Sequence, residues 1–426
     1  MEIAVIGSGI AGLAASFELD KLGHDVTLFE RHSNLGLSNH AIEFASDESS
    51  CVIDVPLRLM NQHQWPTLWD LYKTLQVDVA KVNGSLSFAK QNRSYLQVDF
   101  DRIFSTNLLG LTKSTNRKIF HETLKLRETG LRDLDALSKQ VDVSLAEYLS
   151  KHEFSNDFIY GFLYPLLSST VFTCSYQALA AYPACIVLES LAKITSSDGQ
   201  VSQSLFRAKH GTPDVVDRIM QDSIEVKLNS TVEGIARLQE QVAVDHETEK
   251  RQLFDHVVIA TQANHVPGIL ANPTSQESEM ASCFEYETVQ VDVHQDKSLM
   301  PNSRKNWSAF NMDVGEDTTI AARCTIWLNR FAPELNLQDD VFQTIHAVPG
   351  KRPDKAICQV HLQRPVVTEK SFRGWQLIEQ MHADKRRRIW FAGSYAHRGV
   401  PLLETGIASA QNVARLINDN ARLALT

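Results

Sequence analysis

The chain has 426 residues, 43% of them hydrophobic and 22% charged, with a formal charge of -9. That length exceeds one ordinary core and suggests about two or three domains, and the near-average composition excludes bulk disorder. The acidic balance argues against nucleic acid as the main partner, because nothing offers a broad basic face.

Glu2-Ile3-Ala4-Val5-Ile6 reads as a strand that runs into Gly7-Ser8-Gly9-Ile10-Ala11-Gly12, a GxGxxG turn. Ile10 through Leu22 follows as a helix, Gly23-His24 stops it, and Val26-Thr27-Leu28-Phe29 is a second parallel strand ending at Glu30. Together these form a dinucleotide-binding βαβ unit. Gly7 allows the tight turn, Gly9 lets a pyrophosphate approach bare backbone, and Gly12 lets the helix pack close to the strand, while the N–H groups at the helix start with Ile10 and Ala11 face the phosphates. Glu30 is placed to hold the ribose hydroxyls. A signal peptide does not fit: Glu2 replaces the basic leader, three glycines interrupt the apolar run, and Glu18 and Asp20 follow at once.

The stretch from Arg31 to Asp54 is polar and ends in the strand Cys51-Val52-Ile53-Asp54, an excursion from the nucleotide domain and back. Trp65, Leu68, Trp69, Tyr72 and Leu75 recur at helical spacing after an early Pro66, which predicts an amphipathic helix with its aromatic face inward. Ser144 and Glu147 form a capping box, with Val143 and Tyr148 as its hydrophobic staple. No charged residue occurs from Phe158 to Leu188. Pro165, Ser168-Ser169-Thr170 and Pro183 cut this run into pieces too short to cross a bilayer. Buried core of a second domain explains it, and the sharper alternative is that part of it lines an apolar substrate channel.

Nucleotide-domain grammar returns near Lys209-His210-Gly211-Thr212-Pro213, followed by a helix with Val215, Val216, Ile219 and Met220 inward, and by strands around Ile224–Leu228, Ser230–Ile235 and Gln241–Val244. Phe254–Thr261 is a buried strand ending in small residues. A third return comes at Ile389-Trp390-Phe391-Ala392-Gly393-Ser394, with a helix from Leu402 toward Leu416. The nucleotide domain therefore comprises residues 1–62, 201–275 and 386–426, and a second domain, 63–200 and 276–385, is inserted into it. The six cysteines lack zinc spacing and read as separate reduced thiols of a cytoplasmic protein. The run Lys385-Arg386-Arg387-Arg388 suits either contact with an anionic membrane surface or, more simply, a solvated turn before the strand at Ile389.

These segments resemble the flavin amine-oxidase superfamily, in which an N-terminal GxGxxG with Glu-Arg, a middle strand ending in Ala-Thr, and a C-terminal Phe-x-Gly-Ser/Asp plus helix wrap FAD. Tyr164–Ser169 with Ala181–Ala184, Val293–Pro301 and Asn306–Asn311 are similar to a narrower group, predicted NAD/FAD-binding flavoproteins associated with cyclopropane-fatty-acid synthases. The resemblance implies an α/β fold: a Rossmann-like FAD-binding domain (GR2-type) with an inserted mixed sheet-plus-helix substrate domain. It implies that Gly7, Gly9 and Gly12 hold the pyrophosphate and Glu30 the ribose with Arg31 beside it, and that Val232 offers backbone atoms to the adenine. Ala260 and Thr261 would sit near the phosphates or ribityl chain, Gly393 and Ser394 would reach the ribityl phosphate, and Glu404, Thr405 and Gly406 would start a helix under the flavin. The chain departs from the pattern at Gly36-Leu37, where Gly-Gly is usual, and at Asp54-Val55-Pro56, where the family has Asp-x-Gly. Both loops are expected to take their own path.

A flavin oxidoreductase needs little acid–base machinery, so no triad marks the site. His397 and Arg398, just after the C-terminal cofactor segment, are candidates for the substrate side, with solvent-facing loop residues as the plain alternative. Trp307 is a third candidate, and His294, within an alternating strand, reads as a structural histidine. The resulting expectation is an FAD-dependent oxidoreductase that removes a hydride from a largely apolar, lipid-like or acyl-like small molecule to form a double bond. A flavin amine oxidase that releases peroxide and a redox-neutral flavin isomerase are the alternatives. NAD in place of FAD is disfavoured by the return of the C-terminal segment to the cofactor. No metal is expected.

Overall fold

The computed structural model describes residues 1–45, 50–99, 114–193, 204–247, 251–314, 322–346 and 352–424. The expected domain boundary between residues 200 and 201 lies outside the described residues.

Five parallel strands form the first sheet, in the order Ile389–Phe391, His256–Ile259, Glu2–Ile6, Asp25–Phe29 and Glu225–Lys227. Its central strands are apolar on both faces because both faces are covered. Ile3, Val5, Val26, Leu28, Val258 and Trp390 belong to a core shared with helices Ile10–Lys21, Gly211–Ile219 and Leu403–Ala424. Ala4, Ile6, Phe29, Val257, Ile259 and Phe391 alternate with them and face the other way, toward the antiparallel sheet Val232–Arg237, Val242–His246 and Gln252–Phe254. There Phe29 meets Phe254 edge-on at 6.0 Å.

Helix Pro66–Thr74 buries Leu68, Leu71 and Tyr72 in this same core. The sequence reading gives that helix to the inserted domain, starting at residue 63. The structure instead packs it on the nucleotide-binding unit, because its apolar stripe has the first and last helices as neighbours.

The inserted domain is built on a seven-stranded sheet in the order Ala356–Val366, Glu285–His294, Phe342–His346, Arg323–Trp327, Phe310–Val314, Ser85–Lys90 and Arg93–Asp99. All neighbours are antiparallel except Phe310–Val314 with Ser85–Lys90. The uncharged segment folds as a π-helical turn, Ile159–Leu163, and helices Tyr164–Thr170, Tyr176–Ala181 and Ala184–Ala192. It packs on this sheet, for example with Phe162 5.2 Å from Phe88. Among the described residues no helix is long and apolar enough to cross a membrane. The capping box forms as predicted: the Glu147 N–H donates to Ser144 Oγ and the Ser144 N–H to Glu147 Oε2. In the basic run, Arg387 pairs with Glu277 and Arg388 with Glu240, both at 3.0 Å, and Arg386 lies 3.8 Å from Asp384, so three of its four charges have carboxylate partners within the fold.

His382 ties helix Glu369–His382 to the sheet, because its Nε2 accepts the Phe391 N–H at 3.1 Å. Burial, and then the charge of Arg387, push its pKa down to about 3 from an ordinary 6.5. The unfolded chain takes up the proton first, so this stability is complete above pH 6.5 and is lost as the pH falls toward 3. His382→Gln keeps an acceptor but does not titrate. Its melting temperature is expected to fall less steeply than that of the parent between pH 6.5 and 4, the remaining slope coming from the other groups with lowered pKa values, among them His256, His294 and His346, which burial holds near 4.

Candidate functional site

Strand register brings the ends of four segments to one edge. Ile6 pairs with Phe29 on one side and Ile259 on the other, and Ile259 pairs with Phe391. Gly7, Glu30, Ala260 and Ala392 therefore leave the sheet together, at the carboxyl edge where parallel sheets bind ligands. Gly7 turns at φ 98°, and a Cβ there would lie 3.3 Å from the Ala260 carbonyl oxygen. A Cβ on Gly12 would fall 1.8 Å from the Gly7 oxygen, so the helix start can approach the turn only as glycine. Gly9 has nothing within 4 Å of where its Cβ would be. The helix beginning at Ile10 has no capping side chain and no acidic residue in its first turn, so its N-terminal N–H groups and dipole are left for an anion.

Glu30 is buried. Its Oε2 accepts the Ser8 N–H at 3.1 Å and the Ser8 hydroxyl at 2.5 Å, and its Oε1 accepts the His32 N–H at 2.9 Å. The Ser8 hydroxyl in turn accepts the Gly36 N–H at 2.6 Å, which holds the Gly36-Leu37 loop against the glycine turn. A Cβ on Gly36 would lie 3.2 Å from the Ser8 carbonyl group, so the single glycine retained in that loop is the one the contact requires.

A cleft of about 1800 Å³, including its open mouth, runs from this turn to the inserted sheet. Gly9, Ile10, Ala11, Ala260 and Thr261 line its first end, and Gly393, Ser394 and Glu404 come to it from the C-terminal segment. The last helix is seated by Gly406, whose Cβ would sit 2.9 Å from Ile10 Cγ2, and by Ser409, whose hydroxyl accepts the Gly393 N–H at 2.9 Å. Thr405 closes the preceding turn, its hydroxyl accepting the Leu402 N–H at 3.1 Å. The Glu404 carboxylate caps helix Pro66–Thr74 by accepting the Thr67 and Leu68 N–H groups at 3.0 and 2.8 Å. Leu86, Val289, Val291, Phe310 and Ile345 form the far wall, and Thr170, Val171 and Thr173 of the uncharged segment complete it.

Several lining residues are ones that sequence reasoning missed. Gln343 clamps the segment that departs from the family pattern: its Nε2 donates to the Asp54 carbonyl at 3.0 Å and its Oε1 accepts the Leu57 N–H at 2.8 Å. Leu57, Arg58 and Leu59 then line the cleft, as do Tyr286, Arg364 and Tyr395. Burial raises the pKa values of both tyrosines, so they stand as neutral phenols. The only advance signal was the Asp54-Val55-Pro56 departure itself.

The remaining candidates lie elsewhere. His397 is exposed, with Nδ1 2.9 Å from the Arg398 carbonyl. Arg398 pairs with Glu189 and stacks 5.6 Å over Phe372. Trp307 is buried against Met300, Trp327 and Phe342, its indole donating to the Pro301 carbonyl at 2.7 Å. None of the three lines the cleft. His294 is fully buried, its Nε2 2.7 Å from the Thr344 hydroxyl and its Nδ1 accepting the Asp296 N–H. Arg31 is exposed and bonded to His32, and Val232 opens a strand beside Ser230, whose N–H donates to the Glu30 carbonyl.

Residues 5–75 match the NAD(P)-binding Rossmann-like domain family, a span that takes in helix Pro66–Thr74. Over 105 residues the chain is 30% identical to 4,4'-diapophytoene desaturase (4,4'-diaponeurosporene-forming) of Staphylococcus aureus, an alignment covering 24% of this chain and 18% of that protein. Among solved structures, the CLA-producing fatty acid isomerase from P. acnes superposes with a TM-score of 0.69 at 14% identity, covering 97% of both chains. Putrescine oxidase bound to putrescine gives 0.67 at 13% identity, covering 98% of this chain and 99% of that one. The chain thus carries a Rossmann-like domain within the amine-oxidase type of fold, and the resemblance read from the sequence holds at the level of architecture.

Two glycines three residues apart should behave oppositely. Gly12→Ala forces the helix off the Gly7 carbonyl and is expected to destabilise the chain by roughly 2 kcal/mol or more, seen as a lower melting temperature. Gly9→Ala meets nothing and is expected to leave stability within about 1 kcal/mol of the parent.

Proposed function

We propose that the chain is an FAD-dependent oxidoreductase that removes a hydride from a largely apolar small molecule and leaves a double bond in it. The observation that carries this reading is the continuity of the cleft from the glycine turn, past the start of the last helix, to an apolar wall on a second sheet. A nucleotide-binding edge alone suits NAD as well as FAD; the C-terminal segment at the same cleft favours FAD.

The residues present fit that cofactor. Gly9 leaves open space where backbone must meet a diphosphate, and the uncapped helix start at Ile10 supplies donors. Glu30 is a buried acceptor at the end of the second strand, suited to ribose hydroxyls. Gly393, Ser394 and the first turn of helix Leu403–Ala424 suit the remainder of the molecule. When bound, FAD would supply the two-electron acceptor, taking up the hydride and the accompanying proton on reduction.

The protein's own part is positioning and exclusion of solvent. No histidine, lysine or cysteine occurs among the described lining residues, Tyr286 and Tyr395 are held neutral, and Glu404 is engaged by two backbone N–H groups. A cationic amine would therefore find no free carboxylate there, which favours an apolar donor over an amine even though putrescine oxidase shares the fold. The desaturase and fatty acid isomerase likenesses fit the same preference.

The purified chain is expected to carry the visible flavin absorption band and to release FAD on denaturation. Gly9→Ala is expected to lose that band while keeping the melting temperature of the FAD-free parent. A parent protein that stays colourless after incubation with FAD would end this reading. Anaerobic addition of apolar donors is expected to bleach the band; product without bleaching would mark an isomerase instead.

A further inference from the structure

Beside its neutral polar groups and the Glu404 carboxylate, the cleft wall carries two guanidinium groups, those of Arg58 and Arg364. Arg58 follows the segment clamped by Gln343, and Arg364 lies on strand Ala356–Val366, opposite Glu287 in register. Both line the cleft and both are only partly buried. Neither has a hydrogen bond or ion pair among the described residues, and Arg364 Nε is buried with no partner. The neighbouring carboxylates are committed elsewhere. Asp54 Oδ1 accepts the Thr212 N–H and hydroxyl, both at 2.7 Å, and Glu287 accepts the Ser175 N–H at 2.8 Å and its hydroxyl at 2.7 Å.

Two cations that line one cleft repel each other, and of the two only Arg58 feels an attracting carboxylate, that of Asp54. Burial lowers the pKa of both, and for Arg364 the charge of Arg58 comes next among the causes. One anion between them would remove the repulsion and give each planar fork a partner. The diphosphate of a dinucleotide is poorly placed to be that anion. Arg364 rises from the inserted sheet, and its other titratable neighbours are Tyr182 and Cys174 of the uncharged segment, both held neutral by burial, rather than any group of the glycine turn.

We propose that Arg58 and Arg364 together seat the carboxylate of an otherwise apolar substrate, which makes the donor an amphiphilic carboxylic acid whose chain lies along Leu86, Val289, Val291 and Phe310. As a statement about the substrate, this rests on the oxidoreductase reading above; as a statement about binding, it can be tested without turnover.

The test titrates dodecanoate and methyl dodecanoate into the purified chain by calorimetry, for the parent, Arg364→Met, Arg364→Lys and Arg58→Met, with flavin content and melting temperature recorded for each. The parent is expected to bind the acid at least about tenfold more tightly than the ester, the range of a hydrogen-bonded charged pair. Arg364→Met and Arg58→Met are expected to lower acid binding to the level of the ester, with ester binding and flavin content unchanged. Lysine at 364 is expected to recover part of the difference. Equal affinities for acid and ester in the parent overturn the proposal, even if a variant fails to fold. It is equally overturned if Arg364→Met loses flavin while its acid binding is unchanged, since the anion would then be the diphosphate. A colourless parent that still prefers the acid supports the carboxylate seat and removes only the redox reading.

Discussion

Between the first turn and the first helix there is no room for a methyl group. A Cβ on Gly12 would lie 1.8 Å from the Gly7 carbonyl oxygen, a separation that no small adjustment of side chains relieves, because both partners are backbone. This contact sets how closely the helix beginning at Ile10 can approach the sheet edge. It also sets where the last helix docks, because Gly406 rests on Ile10 with the same lack of space, 2.9 Å to its Cγ2. Two helix starts, far apart in the chain, therefore reach the same cleft, and the strand register delivers Gly7, Glu30, Ala260 and Ala392 to it.

The electrostatic character of the cleft follows from that geometry. Glu404 is the one carboxylate among the described lining residues, and it caps helix Pro66–Thr74. With that charge engaged, helix N-termini and two guanidinium groups give the cleft a positive bias against an apolar background. Such a surface complements phosphate at one end and, on the reading proposed above, carboxylate at the other.

The nucleotide-binding unit was readable because its local rules agree with its tertiary role. GxGxxG, the strand that ends at Glu30, and the buried runs at His256–Ile259 and Ile389–Phe391 each look like what they become. The capping box at Ser144 is legible for the same reason. The far wall was not. Val289, Val291, Phe310 and Ile345 lie on strands whose partners are set by long-range pairing, and nothing within each strand says that its apolar face opens on a cavity rather than a core. Arg58 and Arg364 are more than three hundred residues apart and line one cleft only because the fold brings their segments together. Helix Pro66–Thr74 was correctly read as amphipathic and assigned to the other unit, because periodicity identifies a buried face without identifying what buries it. Trp307 shows the same limit: an aromatic residue in a suggestive stretch proves to be core.

The interleaving of the two units also bears on how the polypeptide emerges from synthesis. The opening strand–helix–strand has one flank closed by His256–Ile259 and Ile389–Phe391, and its helix is covered by Leu403–Ala424. The flank waits for residues 256–259, and the helix surface stays without its native cover until more than four hundred residues have been made. The closing of such distant pairings is slow, and the waiting surface is open to aggregation. The inserted unit, whose strands Glu285–His294 through Ala356–Val366 are closer neighbours in sequence, has most of its sheet available earlier. Assembly of the cleft is then a late event, timed by the arrival of the last helix.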